Sequence, residues 1–211
     1  MNKVLVSFLF IVCLSLKMLA QDTIITMDGS KIPVLKFQLN NELEELEYLN
    51  QDSSNKTIDL EDVFSIKGKS SEQVLYKLDS AKGLYLCVDD MKCYLRGVQE
   101  AKEGYGALFA SLTGLAAGVG SVIYATSTPN PKVNLFWAPV IPLTFCIGVS
   151  FTKPSFNRIK SSYPEWSNND RFMAGYYYES RRKRVRNAIL SSITGFVVSS
   201  AAFLIIDSGQ Q

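Results

Sequence analysis

Four groups of residues in this chain have the types and spacing that could support chemistry, and none of them assembles a reaction centre. Gly68-Lys69-Ser70 has the ending of a phosphate-binding loop. Such a loop needs a glycine five residues earlier, so that backbone N–H groups can cradle the anion, and that position is Val63. The tripeptide therefore reads as a polar strand-to-loop turn. Glu42, Glu44, Glu45 and Glu47 crowd carboxylates together, but a calcium loop alternates its oxygen ligands around a glycine bend, and no glycine is present. This is a solvated face beside a strand. Cys87 and Cys93 flank Asp89-Asp90. In an oxidising compartment they either form a local disulfide or stand as two free thiols, with Cys93 already on a helix. Cys146, in an apolar segment, is a small buried hydrophobe.

The fourth group is the most informative. Tyr176, Tyr177 and Tyr178 are followed by Arg181, Arg182, Lys183, Arg184 and Arg186, and then by an apolar run. Tyrosine favours the headgroup level of a bilayer, and basic residues beside a span attract anionic lipid by about 1 kcal/mol per charge. All eight residues are thus expected to contact lipid headgroups. Trp166 and Phe172 extend the same belt.

Histidine is absent from the 211 residues. That excludes Ser-His-Asp and Cys-His nucleophilic sites, histidine-ligated zinc and imidazole base catalysis. No other constellation suggests an enzyme, and no cofactor or metal is expected. The net charge of +2 selects no partner by its overall field.

The elements that must position these residues fall into three parts. Residues 1–20 read as a secretory signal: Asn2-Lys3, an apolar run from Val4 to Leu16, and Met18-Leu19-Ala20 before Gln21. The apolar run is short of the ~20 residues a span needs. Val12 is too large to precede a lipidated Cys13.

Residues 21–88 read as a small antiparallel β-module. Thr23 to Met27 is β-branched, Asp28-Gly29 is a turn dipeptide, and Lys31 to Phe37 returns, with Pro33 marking an edge or bulge. Further strands are expected at Leu46 to Leu49, Thr57 to Leu60, Val63 to Ile66, Val74 to Leu78 and Leu84 to Val88. Short, evenly spaced strands suggest a meander or a small open barrel.

Residues 89–211 form a helical membrane region, giving an α+β fold with about three transmembrane helices. The spans are expected near 105–126, 133–152 and 187–206, each free of charge. A helix of a small soluble bundle keeps a polar face, and these do not. Pro139 and Pro142 would kink the second span. On the first, Ala110, Gly114 and Gly118 form a small-residue stripe that lets another helix approach, from this chain or from a second copy.

The segments before the first and third spans look alike. Tyr94-Leu95-Arg96-Gly97 precedes a span containing Thr113-Gly114, and Phe172-Met173-Ala174-Gly175 precedes one containing Thr194-Gly195. This is the pattern of a parallel repeat with one return helix between its copies. Together with Asp22 to Gly29 and Ile58 to Lys67, the pattern resembles that of uncharacterised exported bacterial membrane proteins. Those carry an N-terminal β-module and an aromatic-glycine element before each of two glycine-rich apolar segments. The resemblance implies architecture and no activity.

The expected role is that of a structural or interaction protein of the cell envelope, a docking β-module on a helical anchor, with the module on the exported side. A pore or transport accessory subunit is the alternative, although the spans carry no charged residue of the kind transport paths use. Partners are membrane lipids, a second copy or another envelope protein. Nucleic acid is not expected outside the cell.

Overall fold

The computed structural model describes residues 22–40, 42–68, 71–79, 81, 84–128, 134 and 136–208. The signal reading of residues 1–20, and Lys69 and Ser70 of the loop-like tripeptide, lie outside the described residues. The chain divides into two compact units, residues 1–91 and 92–211.

The first unit is a six-stranded antiparallel sheet. Its strands are β1 (Asp22–Thr26), β2 (Lys31–Asn40), β3 (Glu45–Asn50), β4 (Asn55–Asp59), β5 (Val63–Lys67) and β6 (Glu72–Val74), ordered β4-β3-β2-β1-β5-β6. The Asp28-Gly29 turn joins β1 to β2 as expected. Gly29 takes a φ of 78°, the left-handed region that costs glycine nothing. Asp28 Oδ1 accepts the Ser30 N–H at 3.1 Å. Pro33 lies in a strand paired on both sides, yet pairing with β3 begins only at Val34 and shifts register before Lys36. The missing N–H of Pro33 therefore interrupts no ladder on that side.

Only the short 3₁₀ turn Leu60–Asp62 links β4 to β5. In a flat sheet those strands would stand about 19 Å apart, four spacings of about 4.8 Å. Four residue steps reach at most about 14 Å. The sheet must therefore curl, and it does so around Ile24, Val34, Leu46, Tyr48, Val63 and Ile66. The expected module is thus a curled antiparallel sheet, and it departs from a plain meander because β5 pairs with β1.

Two expected strands do not form. Past Val74 the chain leaves β6, although Leu75 and Tyr76 still donate to the Phe64 carbonyl. Tyr76 stacks obliquely on Phe64 and donates its hydroxyl to the Leu86 carbonyl at 2.7 Å. The stretch from Leu84 makes one isolated bridge, to Asp79, and Val88 already starts a helix. A fragment of residues 21–88 keeps every core residue and the Tyr76–Leu86 bond. It is expected to fold alone, with a sheet-type far-ultraviolet circular dichroism spectrum. Ile24→Ala should lower its stability by about 2–5 kcal/mol. A disordered spectrum of the parent fragment would contradict the division.

The second unit is helical. Its helices are α1 (Val88–Gly104, which begins in the first unit), α2 (Leu108–Thr126), α3 (Val140–Phe151), α4 (Phe156–Ser162) and α5 (Asp170–Ser208). α1 opens with Asp89 and Asp90, charges placed to suit the positive end of its dipole. Asn169 caps α5 by accepting the N–H groups of Arg171 and Phe172, both at 3.0 Å.

Two helices, α2 and α5, are long and apolar enough to cross a membrane. α3 is not. It has 12 residues, about 18 Å, where a span of about 20 residues was expected. The prolines explain the difference. Pro139 caps α3 and Pro142 lies in its first turn, where an absent N–H breaks no helical bond. Residues 134, 136 and 137 are also helical and 138–139 form a turn, so the prolines mark a break between two helical stretches.

Candidate functional site

α5 has 39 residues, about 58 Å, and changes character midway. Its first half carries the tyrosines and the basic run, and from Asn187 to Ile206 no charge occurs. α1 lies along the first half and α2 along the second, both parallel to α5, and they meet it at glycines.

At the first crossing, a Cβ on Gly97 would lie 2.1 Å from the Phe172 carbonyl oxygen, and one on Gly175 2.1 Å from that of Tyr94. The contact is reciprocal: each glycine faces the carbonyl of the aromatic residue three positions before the other. The second crossing repeats the rule. A Cβ on Gly118 would lie 2.2 Å from the Ser192 oxygen, and one on Gly195 2.6 Å from that of Leu115. The two aromatic-x-x-Gly elements thus pair with each other around a local twofold relation.

In the apolar part, Gly195 is matched by Gly118 and not, as the sequence alignment suggested, by Gly114. The offset along the chain then changes by one residue between crossings. Residues 105–107 interrupt the α1–α2 path while α5 runs through, so an uninterrupted count misaligns the copies. Gly114 packs on Ala188 and Ser191, and Ala110 joins Ala107, Cys146 and Ala188 in one cluster. The Ala110-Gly114-Gly118 stripe therefore faces α5 of the same chain. Because α2 and α5 are parallel, the chain must return between them. α3 runs back, with Cys146 Sγ 3.6 Å from Ser192 Oγ and Thr152 bonded to Arg184.

The eight expected headgroup residues separate by face. Tyr176 is buried in an aromatic cluster with Tyr105, Tyr163 and Phe172, their ring centroids 5.9–6.4 Å from its own. Trp166 packs on Phe172 and lies under the Arg96 guanidinium at 4.7 Å. Burial, then the charge of Glu100, raises the Tyr163 phenol above the usual tyrosine range. Lys183 Nζ donates to the carbonyls of Ala101, Lys102 and Tyr105 and so closes the C-terminal end of α1.

Arg184 is 8% exposed. Its Nη1 donates to Thr152 Oγ1 at 2.6 Å and its Nη2 to the Thr152 carbonyl, at the end of α3. Tyr176 and Arg184 thus lie inside the helical unit, and Lys183 is engaged by backbone. Tyr178, Arg181, Arg182 and Arg186 remain exposed and Tyr177 half-buried, with Arg182 3.5 Å from Glu179.

The signal missed in the sequence is a seam of buried residues spaced four apart. Phe172, Tyr176, Ser180, Arg184, Ala188 and Ser192 are all buried, the i, i+4 face of one helix. It runs straight through the basic cluster and assigns Arg184 to the inside. Thr152 and Tyr105, which meet Arg184, carried no sequence signal of their own. Cys87 and Cys93 are free thiols, one exposed and one half-buried, as is the buried Cys146.

Arg184 borders a cavity of about 490 Å³, lined by Tyr105, Phe109, Phe145 and Val149 among others. Among the described residues no cluster of three His, Cys, Asp or Glu is placed to hold a metal. No protein-family model, curated protein or solved structure matches the chain.

Proposed function

We propose that this chain is a non-enzymatic membrane protein of the cell envelope, whose helical unit anchors it in lipid and whose β-module is a docking unit on the exported side. One observation carries the anchor. The apolar surface of α2, α3 and the second half of α5 faces outward: Phe109 is 81% exposed, Phe151 77% and Ile205 71%. The most apolar stretch of α5 is 11% buried and that of α2 33%. A soluble core helix hides such a face, and a belt of this size in water would drive association. Lipid removes the conflict.

If α2 and α5 cross in the same direction, the chain between them must return, and α3 runs back along α5. The basic run then lies on the side from which α2 enters, which is also the side of the β-module, since no span separates that module from α1. The signal-like composition of residues 1–20 supports reading this as the exported side. Docking is supported by the open edge strand β4 and by a cavity of about 510 Å³ beside it, lined by Phe37 and Tyr48 with Lys36 and Lys56. A transport path is less well supported. Thr113, Thr194 and Ser199 donate to carbonyls of their own helices, which leaves few polar groups to line a pore.

Single cysteines test the arrangement. Ser127 and Arg182 are exposed, and each is replaced by cysteine in a chain lacking the native thiols. Membranes are first washed in high salt, and the chain is expected to stay in the pellet. In separate, unbroken cells, a thiol reagent that cannot cross the inner membrane should label position 182 and not 127. The reverse pattern would place the β-module inside.

A further inference from the structure

We propose that the cavity bordered by Arg184 binds an anionic amphiphile, its carboxylate or phosphate head on the guanidinium and its alkyl chain along α2 and α3. This rests on the reading of the second unit as lipid-embedded. Arg184 is the single charged side chain in the cavity lining. It is more than nine-tenths buried, its Nε is buried with no hydrogen-bond partner, and its other contacts are to Thr152 and to the face of Tyr105. No carboxylate among the described residues pairs with it. A cation taken out of water without a counter-charge is unfavourable, and an anion held beside the guanidinium relieves that cost. Planar, multi-donor arginine suits carboxylate and phosphate alike.

The rest of the cavity suits a chain. Tyr105, Phe109, Phe145 and Val149 supply apolar walls, and a Cβ at Gly106 or Gly148 would meet nothing within 4 Å. Its volume of about 490 Å³ falls within the roughly 300–1,000 Å³ of small-molecule sites. Arg184 lies at the level where charge ends along α5, beside the start of α2, so a bound head would sit at headgroup depth with its chain pointing into the apolar half.

The test offers the full chain, in neutral detergent, dioleoyl-phosphatidylglycerol, oleate or zwitterionic dioleoyl-phosphatidylcholine, and native mass spectrometry counts what stays bound. The chain is expected to retain one anionic molecule in preference to phosphatidylcholine. Arg184→Gln should weaken that retention roughly tenfold or more. Lys67→Gln, which removes an exposed cation of the β-module, should leave it unchanged. Retention of phosphatidylglycerol assigns the phosphodiester and of oleate the carboxylate, and either supports the proposal. If Arg184→Gln does not fold, Gly148→Phe decides, because it fills the cavity from an open position and should reduce binding with Arg184 intact. Undiminished anionic retention in the folded variants would overturn the site. A chain that is soluble without detergent would overturn the membrane reading alone, since titration with oleate in buffer would still report on Arg184.

Discussion

Gly175→Ala and Gly97→Ala will each destabilise the helical unit severely, by about 3 kcal/mol or more, beyond the usual range for overpacking. The added methyl at either position would lie 2.1 Å from a backbone carbonyl oxygen. No side-chain rotation relieves a clash with backbone, so α1 and α5 must separate and open the aromatic cluster around Tyr176. The same holds at Gly118, 2.2 Å from the Ser192 oxygen. Gly120 and Gly148 provide internal controls. Both are helical, and a Cβ on either meets nothing within 4 Å, so alanine there should be neutral or gain up to about 1 kcal/mol of helix propensity. Thermal unfolding of the full chain in detergent, followed by circular dichroism, should show losses of roughly 6–12 °C at positions 97, 175 and 118. It should show no loss at 120 and 148. Equal tolerance at all five positions would mean that the reciprocal crossings do not hold the unit together.

Much of this arrangement could be read from the chain. Asp28-Gly29 placed the first hairpin because one residue there must take a positive φ. The charge-free stretches placed the apolar halves of α2 and α5, and the aromatic-x-x-Gly repeat pointed to two segments that meet. Three things were hidden. The length of α3 was obscured because a proline in a first turn and a proline in a helix centre look the same in sequence. The stretch Val74 to Leu78 has strand-forming residues, but tertiary anchors, Tyr76 on Phe64 and on the Leu86 carbonyl, hold it without a second neighbour. The basic run read as one lipid-facing cluster because its charges are adjacent. On a helix adjacent residues point in different directions, and Lys183 and Arg184 turn inward to helix ends while Arg181, Arg182 and Arg186 stay outside.

The central claim, that the outward apolar belt lies in lipid, is tested most directly by the two tryptophans. Trp137 is 63% exposed just ahead of α3, whereas Trp166 is held in the polar half by Phe172 and Arg96. The chain is reconstituted into phosphatidylcholine vesicles whose acyl chains are brominated near the headgroup, as two variants that each keep one tryptophan, Trp166→Phe and Trp137→Phe. Bromine quenches indole only on contact, so the emission of Trp137 should fall by most of its intensity relative to unbrominated lipid. That of Trp166 should change little. Trp137 emission that ignores brominated lipid but is quenched by aqueous acrylamide would show that the belt faces water and that the helices do not enter the bilayer.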